Sequence, residues 1–471
     1  MIAASAAALL AAVTGANSPA EAETLRDAML SAYSSNPKLD AERARLRATD
    51  EEVPRARSGF GPNIVGSADI GRQKVTTSPA SSISGDTDPA GYQVSVRQPI
   101  FSGFQTTNAI REAEAGVRVG RENLRLIESN TLLDAASVYM DVVRDMAIVR
   151  LREQNVSVLS RELEAAEMRR AVREVTKTDV AQARARRARA ISAADLAKAN
   201  LKVSRAQFER VIGHAAANLS EPGLKMKLLP RSLDEALHVA EQEAPNIGSA
   251  LHREQAARHA VDRIWGELLP EVRVEASFSH RSDASAAIHE QDSASVTGRV
   301  SIPFYDGGET KARVRQAKHT HVSRMQEIEQ ARSETQANVT SAWSRLQAAR
   351  AQMKSDQVQV EAARTALDGV REEEKVGQRT LLDVLNAEQE ALDAQVQLVV
   401  TRRDLVVASY ALLASMGRLS AEALGLGSHI YDPEEHYHEV RNKWFGVSIT
   451  HADGRREQRS TPDADEDVTA E

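Results

Sequence analysis

The chain of 471 residues is long enough for several average domains, yet only 4% of it is aromatic while 27% is charged. Crowded with Ala, Arg, Glu and Gln, it suits long helices meeting along narrow seams better than globules with thick cores. A formal charge of −7 gives no support to a nucleic-acid partner, and the lack of cysteine excludes disulfides, zinc thiolates and cysteine nucleophiles.

The apolar run Ile2 to Val13 and the small-x-small site Ala20-Glu21-Ala22 make residues 1–22 read as a secretory signal peptide, without the usual basic residues ahead of the apolar run. No later segment offers the roughly 18 uninterrupted apolar residues of a membrane-spanning helix. The best candidate, Val396 to Met416, is broken by Arg402, Arg403 and Asp404. If the mature chain crosses a membrane, it does so with strands.

Residues 23–57 are helical by pattern, with Leu25, Ala28, Met29 and Ala32 at three- and four-residue spacing, and Pro54 and Gly59-Phe60-Gly61-Pro62 are expected to end that helix. Strands are expected over 62–75 and 90–101. Ser102-Gly-Phe-Gln105 then has capping-box form and opens a proline-free helix to about residue 170, roughly 65 residues and about 100 Å long. Its seam runs through Ala135, Tyr139, Val142, Met146, Val149, Val156, Leu159 and Leu163, a coiled-coil spacing. A tip at Val172 to Asp179 and a return helix of about half that length end at Gly213, closing a hairpin over 102–213.

The order then repeats. Pro99, Tyr139, Thr176, Asp179 and Gly213 match Pro303, Trp343, Thr380, Asp383 and Gly417, each 204 positions on. Earlier, Leu25, Ala28, Pro37 and Pro62 match Leu233, Ala236, Pro245 and Pro270 at an offset of 208. The chain is therefore a duplicated unit, 23–222 and 223–424, with a length change between the two strands. In the second copy Val272, Val274, Ala276 and Phe278 alternate with polar residues, as do Val296, Gly298, Val300 and Ile302, giving strands within about 270–303. Asp306-Gly-Gly-Glu309 opens the second hairpin, 306–417, whose seam Val339, Leu346, Met353, Val360 and Leu367 is a strict heptad. Two-faced segments of about ten residues are the pattern of transmembrane barrel strands. Four strands cannot close a barrel, and open edges are not tolerated in lipid, so this reading requires an oligomer.

With its duplication, Pro99-Ile-Phe-Ser-Gly and Pro303-Phe-Tyr-Asp-Gly-Gly, and the tip Val376-Gly377-Gln-Arg379-Thr380-Leu-Leu-Asp383-Val-Leu-Asn386-Ala387, the chain resembles the TolC family of outer-membrane channel-tunnels over about residues 23–425. The resemblance implies a mainly α fold with a small β part. As a homotrimer it would form a 12-stranded outer-membrane β-barrel, four strands per chain, continued by a long periplasmic α-helical barrel. It also implies a passive exit duct for efflux or type I secretion, working with a periplasmic adaptor (a membrane fusion protein) and an inner-membrane transporter.

By the same resemblance, Asp383 and Asn386 line the entrance constriction, where Asn386 replaces a second acid. Arg379, Thr178 and Asp179 match gate-link positions, and Glu374 stands where the family has an aromatic residue. Val172, Arg173 and Glu174, with Val376 and Gly377, occupy the tips used for adaptor docking. Thr176-x-x-Asp179 and Thr380-x-x-Asp383 are also capping boxes, and one geometry permits both roles.

His319-Thr-His321 and His436-Tyr-His438 carry no metal-site spacing, and neither a catalytic motif nor a cofactor-binding one is present. Residues 425–450, with Tyr431, His436, Tyr437, His438, Trp444 and Phe445, leave the repeat and are expected to pack on the helices near their middle as an equatorial segment. Residues 451–471 read as a disordered tail. The alternative from another class is a soluble periplasmic coiled-coil adaptor or scaffold. The two readings differ in whether the strands share one lipid-compatible face.

Overall fold

The computed structural model describes residues 22–76, 85–222, 228–285, 287–427, 430–450 and 456–457. The expected signal peptide, but for its last residue, and most of the expected disordered tail lie outside the described residues. The chain forms two compact units, and each draws on both sequence repeats. One comprises Met1–Asp40, Arg125–Ala244 and Thr335–Ile430, the other Ala41–Leu124, Pro245–Glu334 and Tyr431–Glu471.

The helix expected over 23–57 is broken into α1 (Leu25–Ser35), α2 (Pro37–Asp50) and α3 (Glu52–Arg57). Asn36 ends α1 in an extended conformation and Pro37 opens α2, where its missing N–H costs nothing. Pro54 does not end the helix as expected. It lies in the first turn of α3, again a position without an intrahelical N–H bond, and the chain continues helical to Arg57.

Four strands follow in the first half: β1 (Asn63–Ile70), β2 (Gln73–Val75), β3 (Gly85–Thr87) and β4 (Ala90–Ser102). The strand expected over 62–75 is thus two pieces, and among the described residues β2 pairs with β3 alone. Then come the long helix α4 (Gln105–Ala171) and its return α5 (Lys177–Ile212). The second half gives α6 (Leu233–Glu243), α7 (Pro245–Gly266), β5 (Glu271–Ser285), β6 (Ile288–Ser301), α8 (Glu309–Lys375) and α9 (Leu381–Ser415). Both outgoing helices are 67 residues long, and they start 204 residues apart. The length change sits in the strand connections: β5 and β6 nearly meet, whereas β2 and β3 intervene between β1 and β4. Two short helices, α10 (Ala421–Leu424) and α11 (Glu435–Val440), and the strand pair β7 (Ile449–Thr450) and β8 (Arg456–Glu457) complete the described chain.

In the first unit the seam positions do pack. Ala135, Tyr139 and Val142 on α4, and Val339 and Leu346 on α8, are fully buried. The Tyr139 hydroxyl donates to the Ser220 carbonyl at 2.6 Å, and the Glu23 carbonyl lies 2.8 Å from it. Tyr139 thereby ties the start of α1 and the chain after α5 to the long helix. Arg403 on α9 reaches Asp141 and Ser137 on α4, both at 2.9 Å.

In the second unit one antiparallel sheet has the order β1-β4-β5-β6, with β1 and β6 at its edges. Pro99 lies at the one irregularity of the β4–β5 ladder, where Ile100 is extra, which is where a strand tolerates proline. The capping box expected at Ser102–Gln105 does not form. Ser102 belongs to β4 and its hydroxyl meets that of Thr106 at 3.1 Å, because Gly103 and Phe104 turn the chain with φ of 58° and 62°. Asp306 does cap α8, but from two residues further out, accepting from the Gly308 and Thr310 amides at 3.0 and 2.8 Å. The Thr310 hydroxyl and amide hold its carboxyl down at about 2.

Where strands become helices, two backbones nearly touch. A Cβ on Gly103 would lie 2.2 Å from the Gly266 carbonyl oxygen, and one on Gly266 equally close to that of Gly103. Glycine at both positions is therefore a steric requirement of the joint between β4–α4 and α7–β5. Gly103→Ala also places a side chain at positive φ, so it should cost more than the ~1–3 kcal/mol of backbone strain alone. The check is thermal denaturation of the purified protein beside Gly116→Ala, a helical glycine with open space around it. Gly103→Ala should melt well below the parent, and Gly116→Ala at or above it.

Candidate functional site

The two hairpin tips in the first unit are built alike. At the first, Arg173 turns the chain with φ of 67°. Its N–H reaches the Arg170 carbonyl, and that of Glu174 reaches Arg169, both at 3.0 Å. At the second, Gly377 has φ of 78°, and the Gly377 and Gln378 amides reach the Glu374 and Glu373 carbonyls at 2.9 Å. This two-bond closure ends a helix through a left-handed residue. Glycine adopts it freely, whereas Arg173 is strained by roughly 1–2 kcal/mol.

Each return helix is then capped reciprocally. Thr176 Oγ1 accepts from the Asp179 amide at 3.2 Å, and Asp179 Oδ2 from the Thr176 amide at 2.8 Å. Thr380 and Asp383 repeat this at 3.3 and 3.0 Å. The Thr380 amide and hydroxyl hold the Asp383 carboxyl below its usual range, so it is charged at neutral pH. Capping thus fixes both acids that the sequence singled out, and the threonine periodicity made it legible.

Other tip contacts were not legible. Asn386, one turn beyond Asp383, accepts from Arg186 Nη2 at 2.7 Å, which ties α5 to α9. Glu374 accepts from Arg169 Nη1 at 2.5 Å, which ties the ends of α4 and α8. Arg379 donates to Glu373 at 2.8 Å, so within one chain its partner is that carboxylate, while Asp179 is engaged by Thr176. Thr178 is exposed. Beneath the tips Leu163, Ala166, Val180 and Ala183 pack with Val175 and Leu381, and Leu159, Ala190 and Leu385 with Val156 and the same Leu381. Leu381 and Leu385, both on α9, join the second coiled coil to the first. The five tip positions Val172, Arg173, Glu174, Val376 and Gly377 are all exposed, with Val172 at 67% and Val376 at 70%.

One carboxylate close to the tip is buried. Glu388, on α9, is 6% exposed and accepts from Arg371 Nη2 at 2.6 Å, while its other oxygen has no partner. Burial raises its pKa against the opposing pull of Arg371.

In the second unit the sheet has two chemically distinct faces. Register places Ile64, Val96, Ala276 and Val296 side by side across all four strands, with Val94, Phe278 and Ala294 in the next row. Tyr92, Val272, Val274 and Val300 share this face, and Ile64, Val94, Phe278, Val296 and Val300 are exposed. On the opposite face Glu275 accepts from Arg273 at 2.9 Å, Arg299 at 3.3 Å and Arg97 at 3.4 Å. There Arg281 pairs with Asp69 at 2.9 Å, and Ser277 with Ser295. The apolar rows run from Val272 to Phe278 and end at the polar pair His280–Asp292, 2.6 Å apart. Val272 to Phe278 is seven residues, and the flanking pair to His280 brings the stretch to nine, against the ~9–11 residues of a tilted strand crossing a bilayer.

Each of the histidine pairs noted in the sequence has at least one member on a carboxylate. His321 lies 2.6 Å from Glu254, and His436 lies 3.0 Å from the fully buried Asp50. Among the described residues no cluster of three metal-ligating side chains occurs.

Comparison with known proteins gives a consistent picture. The family model described as outer membrane efflux protein matches residues 29–214 and 236–418. Outer membrane efflux protein BepC of Brucella suis biovar 1 is 40% identical over 451 residues, covering 96% of this chain and 97% of the relative. Outer membrane protein TolC of Escherichia coli K12 is 23% identical over 427 residues, covering 88% and 86%. Among solved structures, the Campylobacter jejuni CmeC outer membrane channel superposes with a TM-score of 0.76 at 15% identity, covering 89% of each chain.

The buried Glu388 makes tip stability pH-dependent with a definite sign. A carboxyl whose folded pKa is raised binds more protons in the folded state than in the unfolded one. Its contribution is therefore most favourable below the usual carboxylate range and declines as pH rises through that range toward the raised value. Glu388→Gln should flatten that part of the stability–pH profile and raise the melting temperature at neutral pH. Thermal melts across this pH range are the check; a profile unchanged by the substitution would contradict the assignment.

Proposed function

The chain belongs to the outer membrane efflux protein family and resides in the outer membrane, and we propose that three copies of it form a passive exit duct. In this reading each copy supplies β1, β4, β5 and β6 to a shared 12-stranded barrel. The long hairpins extend into the periplasm and narrow at their tips. The duct receives cargo from an inner-membrane transporter through a periplasmic adaptor and supplies no energy itself.

The observation that supports this best is the two-faced, open-edged sheet. Its exposed apolar face suits lipid, and its ladder of Arg97, Arg273, Glu275 and Arg299 suits a water-filled lumen. A soluble adaptor would have no use for an apolar face of that width left uncovered. Both sheet edges carry unpaired backbone groups, which neighbouring copies would satisfy.

At the tips, Asp383 from each copy forms a ring of three carboxylates at the entrance. Asn386, already held by Arg186, adds amides rather than charge. Because Asp179 is capped and Arg379 sits on Glu373 within one chain, a gate link between Arg379 and Asp179 is one made between neighbouring copies. Arg169–Glu374 and Arg186–Asn386 hold each copy's two hairpins together, so the tips move as a pair. The exposed Val172, Arg173, Glu174, Val376 and Gly377 form the adaptor-docking edge.

Conductance in planar bilayers tests this. The purified protein should give small, cation-selective steps. Arg379→Ser should raise the conductance severalfold by releasing the closed entrance, and Asp383→Ala should reduce cation selectivity. An absence of steps from correctly folded protein would contradict the duct, and unchanged conductance in Arg379→Ser would contradict the link.

A further inference from the structure

Every strand of the sheet carries an exposed aromatic side chain at the end where it joins a helix. Phe60 precedes β1, Phe104 follows β4, Trp265 precedes β5, and Phe304 and Tyr305 follow β6. Tryptophan and tyrosine concentrate at membrane–water boundaries, where an apolar ring and a polar edge are both satisfied. The foot of the sheet thus has the composition of such a boundary.

The C-terminal segment is led to this same level. Helix α11 is held to α2 by His436 on Asp50 and to α4 by Arg121 over the Tyr437 ring. Arg57 then donates to the Arg441 carbonyl at 3.2 Å and to the Asn442 side chain. Beyond this anchor the chain turns, with Lys443 Nζ on the Ser448 carbonyl at 2.9 Å and Gly446 at φ of 97°. The Trp444 ring comes to rest over Gly61, two residues before β1. It remains 66% exposed and its neighbour Phe445 is 90% exposed, with Val447 and Ile449 also turned outward. Between this turn and the start of β1 lies an open cavity of about 410 Å³, lined by Pro54, Arg57, Ile64, Lys443, Trp444 and Phe445 among others. Neither Arg57 nor Lys443 has a carboxylate partner among the described residues.

We propose that residues 443–449 are a membrane-surface anchor: Trp444 and Phe445 enter the periplasmic-facing leaflet at the foot of the barrel, and Arg57 and Lys443 receive the phosphate of a glycerophospholipid in the cavity beside them. The inference rests on the reading that the sheet spans the membrane. The occupant follows from continuity with the aromatic foot of the strands and from charge. An apolar rim with two cations behind it matches a lipid whose acyl chains and phosphate sit side by side, since long basic side chains lay their stems along apolar surface and keep their charge at the headgroup level. The segment would fix the height of the tunnel relative to the bilayer independently of the strands.

The test uses the full chain in lipid nanodiscs. The emission of Trp444 is obtained as the difference between the parent and Trp444→Phe. It should fall by about twofold when the phospholipid carries bromine near the glycerol end of its acyl chains, as expected for a ring at the interface, and should resist aqueous iodide. Iodide quenching without bromine quenching would place Trp444 in water and overturn the anchor. Resistance to both would mean a second copy of the chain covers it, which also overturns it. Val296→Trp, on the apolar face of β6, separates this from the barrel reading. Bromine quenching there but not at Trp444 rejects the anchor alone, and quenching at neither rejects the membrane-spanning sheet on which it rests. Quenching of Trp444 should also be stronger in phosphatidylglycerol-rich than in pure phosphatidylcholine discs, and Lys443→Gln should abolish that difference. Equal quenching in both lipids for the parent, with no loss of quenching in either for Lys443→Gln, would overturn the phosphate contact.

Discussion

A sheet of four strands with an apolar face on one side and an ionic ladder on the other leaves β1 and β6 with backbone donors and acceptors pointing outward. In water such edges are a nuisance that solvent satisfies. In hydrocarbon each unpaired group costs several kcal/mol, so the sheet is admissible only when its edges meet other strands. Much else in the chain follows from this one constraint. The duplication supplies two hairpins per chain, the glycine pair Gly103–Gly266 lets the strands pass into helices without a gap, and the helices pack along narrow seams rather than around a thick core.

The tips obey a different economy. Their coiled coils are tied by a handful of side chains: Leu381 between two small apolar clusters, Arg186–Asn386, Arg169–Glu374, and the buried Glu388 with Arg371. An ion pair as exposed as Arg169–Glu374 is worth at most about 1 kcal/mol. The Arg173 turn is strained where the equivalent Gly377 turn is relaxed, so the two tips share a backbone form at different cost.

How much of this was legible in the sequence depends on the range of the interaction. Local rules worked where the deciding contact was three or four residues away. The threonine–aspartate boxes formed at both tips, and the repeat placed both long helices within a few residues. Alternation located β5 and β6 and their apolar face. Local rules failed where backbone geometry or distant partners decided. Ser102 has the right residue at the right spacing for a cap, but the left-handed turn at Gly103 and Phe104 places it in a strand. Pro54 reads as a breaker only if one does not know that it falls in a first turn. Arg169–Glu374 and His436–Asp50 join residues hundreds of positions apart, and nothing in the spacing of either partner announces them.

The central claim, that neighbouring copies complete the sheet, is most directly tested by cross-linking its edges. The chain has no cysteine of its own. Val65→Cys on β1 can therefore be combined in turn with Ser293→Cys, Ser295→Cys or Thr297→Cys on β6, all on the polar face. Oxidation of membranes carrying these variants should produce, in the pair that matches the register, a covalent ladder ending at three chains. A cross-link confined to single chains, or no cross-link for any pair in properly inserted protein, would contradict the account.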